Sequence, residues 1–291
     1  MATIGFIGLG NMGGPMAANL VKAGHDVFGY DIAEAAVETA SQDGCTIVDS
    51  TAEAATDRDV VITMLPAGKH VIAIYEEIKS HVRPGALLID CSTIDIASAK
   101  QAHEIAQSVG ALGVDAPVSG GIMGAINGTL TFMAGGSEDA LDAALPILEP
   151  MAGRVVRCGG ATAGQAAKVC NNMILAITMI GTGEAFEMGR RLGLTDQALF
   201  DVVSTASGQS WSTTTYCPVP GPVPTSPANN DYKPGFAADL MLKDLGLAQE
   251  AAAMTDASTP LGSHAHDLYK EFCDAGNGGL DFSGIIKMLG R

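Results

Sequence analysis

The sequence predicts an α/β protein: an N-terminal doubly wound sheet, an all-α C-terminal domain, and one long interdomain helix joining them. Three observations predict it. From residue 2 to about 157, short apolar runs alternate with amphipathic helical patterns, which indicates βαβ units in a mostly parallel sheet. From about Thr162 to Leu192 a single helical pattern runs for some thirty residues, about 45 Å at 1.5 Å per residue. Past Leu192 no strand of comparable quality occurs. The predicted domains are 1–161 and 162–291.

In order, Ala-Thr-Ile-Gly-Phe-Ile at 2–7 reads as a buried strand, broken by Gly8-Leu9-Gly10. A helix follows, with Met12, Met16, Leu20 and Val21 on one side, ending near Ala23-Gly24. Further strands are expected at 26–30, 60–64, 86–90, 111–114, 130–134 and 154–157. Helices fall between them at about 33–42, up to 80, 95–109 and 138–149. Beyond the long helix, helices are expected at about 195–206, 237–255, 260–275 and 282–289. Between these, Ser207–Pro234 holds six prolines and is not expected to be helical. A structureless stretch of that length reads as a lid or binding loop.

Composition narrows the function. The chain has 291 residues, 47% of them hydrophobic and 16% charged, a balance that builds cores rather than disorder. Lys and Arg number 16 against 32 Asp and Glu, for a net charge of −16. Such a chain repels polyphosphate, so no nucleic-acid partner is expected. An anionic ligand would need local donors. The six cysteines show no short spacing and read as reduced packing residues of a cytoplasmic protein. His264 and His266, two apart on a helix, point to different faces, so no metal is expected. No run of 18 apolar residues occurs, so no membrane partner is expected. No basic segment leads an apolar run at the N-terminus, so no presequence is expected.

The chemistry-bearing motifs start with Gly8-Leu9-Gly10-Asn11-Met12-Gly13, set between a strand and a helix. In a Rossmann-type site the first glycine allows the tight turn and the second lets a pyrophosphate approach the backbone. The third lets helix and strand pack closely, with the phosphates at the helix N-terminus. Asp31, 23 residues after Gly8, ends the second strand, where a carboxylate can accept both adenosine ribose hydroxyls. Asp31-Ile32-Ala33 supplies no cation for a 2′-phosphate, which argues for NAD over NADP. Leu65-Pro66 and Ser92-Thr93 sit at strand C-terminal ends, the ligand edge of open α/β sheets, though alone they are simple loop starts.

Lys168 and Asn172, four apart, share one face of the long helix. Gly164 lies on that face too, where its missing side chain would leave room for a ligand. Alcohol oxidation needs a base for the hydroxyl proton, and a lysine serves if burial and neighbours bring its pKa toward neutrality. Spacing alone fits equally an exposed lysine with a capping asparagine. Ser119-Gly120-Gly121 offers a hydroxyl and accessible N–H groups, a nest for a carboxylate, or an ordinary polar turn. Trp211 and Phe236 could wall in a small apolar group or merely anchor their loop. Lys243 could reach a cofactor or substrate, or pair with a nearby acid.

Four segments together resemble the β-hydroxyacid dehydrogenase family over essentially the whole chain. They are Gly5-Phe-Ile-Gly-Leu-Gly-Asn-Met-Gly13, Asp115-Ala-Pro-Val-Ser-Gly-Gly121, Gly164-Gln-Ala-Ala-Lys-Val-Cys-Asn-Asn172, and Ser210-Trp-Ser212 leading to Phe236 and Lys243-Asp-Leu-Gly-Leu-Ala248. The resemblance implies NAD-dependent oxidation of a small β-hydroxy acid. Tyr216-Cys-Pro-Val-Pro-Gly221 and the Lys243–Ala248 run resemble the members that convert 3-hydroxyisobutyrate to methylmalonate semialdehyde in valine catabolism. It further implies Lys168 as general base with Asn172, and Ser119, Gly120, Gly121, Asn171, Trp211 and Phe236 around substrate. Leu65, Pro66, Thr93 and Lys243 would join the glycine loop in holding the cofactor. Relatives acting on 3-hydroxypropionate, L-serine or tartronate semialdehyde have similar pockets. A non-catalytic dinucleotide-binding module would have lost Lys168, which is present. Apolar faces of the helical domain suggest a homodimer or homotetramer.

Overall fold

The computed structural model describes residues 1–290, which form two compact units, Met1–Lys168 and the remainder. The first unit opens with β1 (Thr3–Ile7), α1 (Gly13–Lys22), β2 (Asp26–Tyr30), α2 (Glu34–Gln42), β3 (Thr46–Ile47) and α3 (Thr51–Ala55). It continues with β4 (Val60–Thr63), α4 (Gly68–Ile78), β5 (Leu87–Asp90), α5 (Ile96–Ser108), β6 (Leu112–Asp115) and β7 (Val118–Ser119). It closes with α6 (Gly121–Asn127), β8 (Leu130–Gly136), α7 (Glu138–Leu148), β9 (Ala152–Gly159) and the first turns of α8 (Ala163–Arg191). The second unit holds the rest of α8 with α9 (Asp196–Val203), α10 (Trp211–Thr214), α11 (Ala238–Met254), α12 (Pro260–Phe272) and α13 (Ile286–Leu289).

Six strands pair in parallel in the order β3-β2-β1-β4-β5-β6, and β8 extends the sheet antiparallel to β6. β7 and β9 both pair with β8, antiparallel and parallel respectively. Strand residues alternate between two cores. Phe6, Ile62 and Ile89 pack with Met16 and Leu20 of α1, while Ile7, Val61 and Leu88 pack with Val71, Tyr75 and Ile78 of α4. Helices therefore cover both faces, which is why the strands are almost uniformly apolar. Strand order reverses between β1 and β4, so the loops after these strands open at the switch point where open α/β sheets take ligands.

In the second unit Ala176, Met179 and Ile180 of α8 pack against Met241 and Leu245 of α11 and Tyr269 and Phe272 of α12. The proline-rich segment differs from expectation. Ser207–Pro234 contains one helical turn, α10, closed by a Ser210/Thr213 capping box, and a 3₁₀ turn at Pro227–Asn230. Its Cys217, Val219, Val223 and Tyr232 form a second core with Phe186 and Ile286. Prolines lack N–H groups that would need partners, and Ser226 Oγ (2.6 Å) and Tyr232 OH (2.8 Å) donate to the carbonyls of Cys217 and Pro218. The segment is packed structure rather than a structureless loop. The helix predicted at 260–275 ends at Phe272 and passes into a π-type turn, Cys273–Asn277, where Gly276 has φ +87°. β3, β7, α3 and α6 were not expected; two-residue strands and five- to seven-residue helices carry too little periodicity to read. Among the described residues no helix is long and apolar enough to cross a membrane.

Asp90, at the end of β5, is buried. Its Oδ1 accepts from Thr63 Oγ1 (2.7 Å), Ser92 Oγ (2.6 Å) and Ser92 N (3.2 Å), while Oδ2 finds no partner among the described residues. Burial pushes the carboxyl from its ordinary 3.8 up to about 6. As pH rises the unfolded chain releases this proton first, so the group's contribution to stability is full below about pH 4 and is lost by about pH 6. The loss is on the order of 3 kcal/mol. Asp90→Asn keeps the Oδ1 acceptor without the charge. The difference in Tm, variant minus parent, should therefore shift in the variant's favour by several degrees between pH 4 and pH 7. A difference independent of pH would show that the Asp90 carboxyl has the same pKa in the folded and the unfolded chain.

Candidate active site

The loop after β1 is shaped by its neighbours. Gly8 has φ +97°, and a side chain there would strike the Met64 carbonyl. At Gly13 a Cβ would strike the Gly8 carbonyl, so this glycine is what lets α1 close on the loop. Nothing lies within 4 Å of a Cβ built on Gly10. Asn11 and Gly10 are exposed, Met12 is half-buried, and the Leu9 side chain is in the core. Asp31 organises the loop directly: its Oδ2 accepts from Leu9 N (2.6 Å) and its Oδ1 from Ala33 N (2.8 Å). Ile32 beside it is 92% exposed. An open glycine at a helix N-terminus with a fixed carboxylate on the next strand fits a dinucleotide. The loops after β4 and β5 are tied together where Leu65 N donates to Ser92 Oγ (2.8 Å), with Pro66 and Thr93 next in line.

The start of α8 is held by Asp115, at the end of β6. Asp115 Oδ1 accepts from Thr162 N (2.9 Å) and pairs with His103 Nε2 (2.8 Å), and Oδ2 accepts from Gln165 N (2.8 Å). Gly164 does not open space for a ligand, contrary to expectation. A Cβ there would collide with the carbonyls of Met133 and Asp115, so the glycine lets the helix lie directly on β6 and β8. One turn on, Lys168 is 6% exposed and its Nζ donates to Val118 O at 2.8 Å. Ser119 follows Val118 in the chain. Gly120 and Gly121 both have positive φ, +137° and +62°, and turn the backbone into α6. The fold therefore brings the lysine and the Ser119–Gly121 turn together within the first unit.

Asn172 lies a further turn along α8 and is 2% exposed. Its Nδ2 donates to Asp244 Oδ2 (2.5 Å) and its Oδ1 accepts from Asn171 Nδ2 (3.0 Å). Lys243 Nζ stands 3.7 Å from Asp244 Oδ1. Asp244 was not singled out from sequence. The available signal was its position with Met241, Leu245 and Ala248 on the buried face of α11, a carboxylate inside an apolar stripe. Trp211, 48% exposed, stacks on Tyr216 at 4.7 Å, Tyr216 stacks on Phe282, and Phe236 meets Phe282 edge-on. Asp281 Oδ2 fixes this row, accepting from Tyr216 OH (2.9 Å), Gly235 N (3.0 Å) and Phe236 N (3.1 Å). Burial and the Asp281 carboxylate push the Tyr216 phenol well above its ordinary range.

Residues 3–160 match the NAD binding domain of 6-phosphogluconate dehydrogenase, and residues 162–289 match the NAD-binding domain of NADP-dependent 3-hydroxyisobutyrate dehydrogenase. A probable 3-hydroxyisobutyrate dehydrogenase of Mycobacterium tuberculosis is 55% identical over 289 residues, 99% of this chain and 98% of the relative. An NAD-dependent L-serine dehydrogenase of Pseudomonas aeruginosa is 45% identical over 292 residues, covering 99% and 98%. A solved structure of the M. tuberculosis 3-hydroxyisobutyrate dehydrogenase with L-serine superposes with a TM-score of 0.97 at 54% identity, covering 100% of both chains. A nucleotide cradle of this shape, matched in both halves at such identity, places the chain in the 3-hydroxyisobutyrate dehydrogenase family of NAD(P)-dependent dehydrogenases.

Proposed function

We propose that this protein oxidises the primary alcohol of 3-hydroxyisobutyrate to methylmalonate semialdehyde, with NAD as acceptor and Lys168 as general base. The observation that carries the reading is the buried Lys168, its Nζ 2.8 Å from the carbonyl that precedes Ser119. Bound NAD supplies the acceptor for the hydride that leaves the carbinol carbon. The hydroxyl proton goes to the Lys168 amine, acting as general base. In the reverse direction the ammonium returns that proton. Ser119 with the N–H groups of Gly120 and Gly121 suits the substrate carboxylate. Asn172, its amide plane fixed by Asn171 and Asp244, presents a neutral group to the hydroxyl side. Trp211 and Phe236 flank the methyl group, and Leu65, Pro66, Thr93 and Lys243 complete the cofactor side. Six unpaired cysteines suit the reducing cytoplasm.

A second reading, L-serine oxidation, is favoured by the Pseudomonas relative and by the serine in the M. tuberculosis structure. Exchanging a methyl for an ammonium group leaves the reacting alcohol unchanged. Comparison of kcat/KM for 3-hydroxyisobutyrate, 3-hydroxypropionate, L-serine, glycerate and tartronate semialdehyde decides between them. A higher value for serine would displace the first reading. Assembly belongs to the same proposal: Ile174, Met188, Leu192 and Val202 are each more than half exposed, and such apolar surface supports a homodimer or homotetramer. Sedimentation at micromolar concentration should show more than one chain per particle; a single monomer boundary would sink this.

Lys168→Ala should lower kcat by at least about 10²-fold with NAD affinity within a few-fold, and Lys168→Arg should not restore turnover. Oxidation should rise with pH and semialdehyde reduction should fall. Parallel profiles in the two directions would remove the lysine from both roles.

The Asp31 carboxylate sets the cofactor preference. A 2′-phosphate about 4 Å away would meet about 4 kcal/mol of repulsion at an effective dielectric of 20. Screening leaves about 2–3 kcal/mol, or about 30- to 150-fold in kcat/KM favouring NAD. Asp31→Asn with Ile32→Arg should shift that preference toward NADP by at least about ten-fold. A parent equally active with NADP would overturn the role given to Asp31.

A further inference from the structure

Gln165 lies three residues before Lys168 on α8 and is fully buried. Both ends of its carboxamide are used. Nε2 donates to Ser92 O at 2.7 Å, and Oε1 accepts from Ile94 N at 3.2 Å. Its own N–H is held by Asp115 Oδ2. The segment it grips, Ser92 to Ile94, is the loop leaving β5 at the ligand edge of the sheet. Ser92 Oγ in turn accepts from Leu65 N and donates to Asp90 Oδ1. One amide therefore joins the loops after β4 and β5 to the helix that carries the lysine.

Packing alone would not select glutamine here. A leucine or methionine fills similar space without the desolvation of an amide or the ordering of a long side chain. What the amide adds is a two-point, directional tie across 71 and 73 residues of chain, set on a helix face shared with Lys168.

We propose that Gln165 is a positioning residue: its carboxamide sets the separation between the cofactor edge of the sheet and Lys168 Nζ, so that hydride and proton depart in one geometry. The proposal rests on the dehydrogenase reading above. A misplacement of about 1 Å can cost about 10²-fold in rate, so loosening this tie should act on kcat rather than on binding.

The chemistry of the tie provides a distinctive test. In Gln165→Glu one carboxylate oxygen can still accept from Ile94 N, but the other faces the Ser92 carbonyl, acceptor against acceptor. Protonation turns that oxygen into a donor and restores the tie. The titratable groups around it are Asp115, His103 on the far oxygen of Asp115, Asp90 beneath Ser92, Cys91 beside Ser92, and Lys168 one turn along the helix. Burial and the neighbouring carboxylates favour the protonated acid.

We would measure kcat and KM for NAD and 3-hydroxyisobutyrate from pH 5 to 9 in the parent, Gln165→Met and Gln165→Glu, dividing each variant by the parent at every pH. The Met variant should lose at least about ten-fold in kcat at all pH values, with both KM values within about three-fold. The Glu variant should approach the parent at low pH and fall to the Met level as pH rises. Should the Met variant fail to fold, the pH ratio of the Glu variant still reads the tie. A Glu variant that stays at the Met level down to pH 5, or a Met variant with parental kcat, overturns the positioning role alone. A parent inactive on every β-hydroxy acid overturns the dehydrogenase reading and this proposal together.

Discussion

The Asp115 carboxylate holds the N-terminus of α8, a helix of 29 residues, and so seats the first turns of that helix, with Gln165 and Lys168, against the sheet. The first N–H groups of a helix have no partner within it. Here one carboxylate, delivered from the end of β6, satisfies two N–H groups, those of Thr162 and Gln165, and complements the positive end of the helix dipole. Such contacts contribute about 0.3–2 kcal/mol. Thr162 has φ +72°, a strained conformation for a β-branched residue that costs on the order of 1–3 kcal/mol. The Asp115 contact and the close seat of Gly164 on β6 and β8 hold the strained turn in place. Lys168 is then set by helical geometry, one turn beyond an end that cannot move independently of the sheet.

The same logic recurs elsewhere in this acidic chain. Asp31 binds the backbone N–H groups of Leu9 and Ala33, Asp244 binds the Asn172 amide, and Asp281 binds three N–H groups, a phenol and the Ser283 hydroxyl. These buried or half-buried carboxylates work as fixed acceptors for neutral donors. A carboxylate that accepts several well-aligned hydrogen bonds forces its donors into one arrangement. Asp90 shows the opposite balance: burial pushes its carboxyl up to about 6 despite three hydrogen bonds to Oδ1, and Oδ2 has no hydrogen-bond partner among the described residues.

The proline-rich segment carries a related lesson about packing. Its prolines exclude regular helix, yet Cys217, Val219 and Tyr232 are buried. A segment with few N–H groups to satisfy can enter a core as irregular chain, provided that a few side chains such as Ser226 and Tyr232 serve its carbonyls. Order in this segment follows from its contacts, which proline spacing does not report.

Features encoded within one short stretch were legible in the sequence alone. The glycine loop was readable because strand, turn, helix and Asp31 fall at spacings fixed by local backbone geometry. That Lys168 and Asn172 share a helix face was readable from their four-residue interval, though the interval alone fitted an exposed lysine equally well. The division into a sheet domain and a helical domain followed from hydrophobic period. The tertiary structure decided what depends on partners distant in the chain. Gly164 was misread because the carbonyls that crowd it belong to Asp115 and Met133. Asp244 reaches Asn172 across 72 residues, and Gln165 reaches Ser92 across 73. A hydrogen bond is selected by distance and angle in space, and a one-dimensional pattern records neither until the sheet has brought its strand ends together.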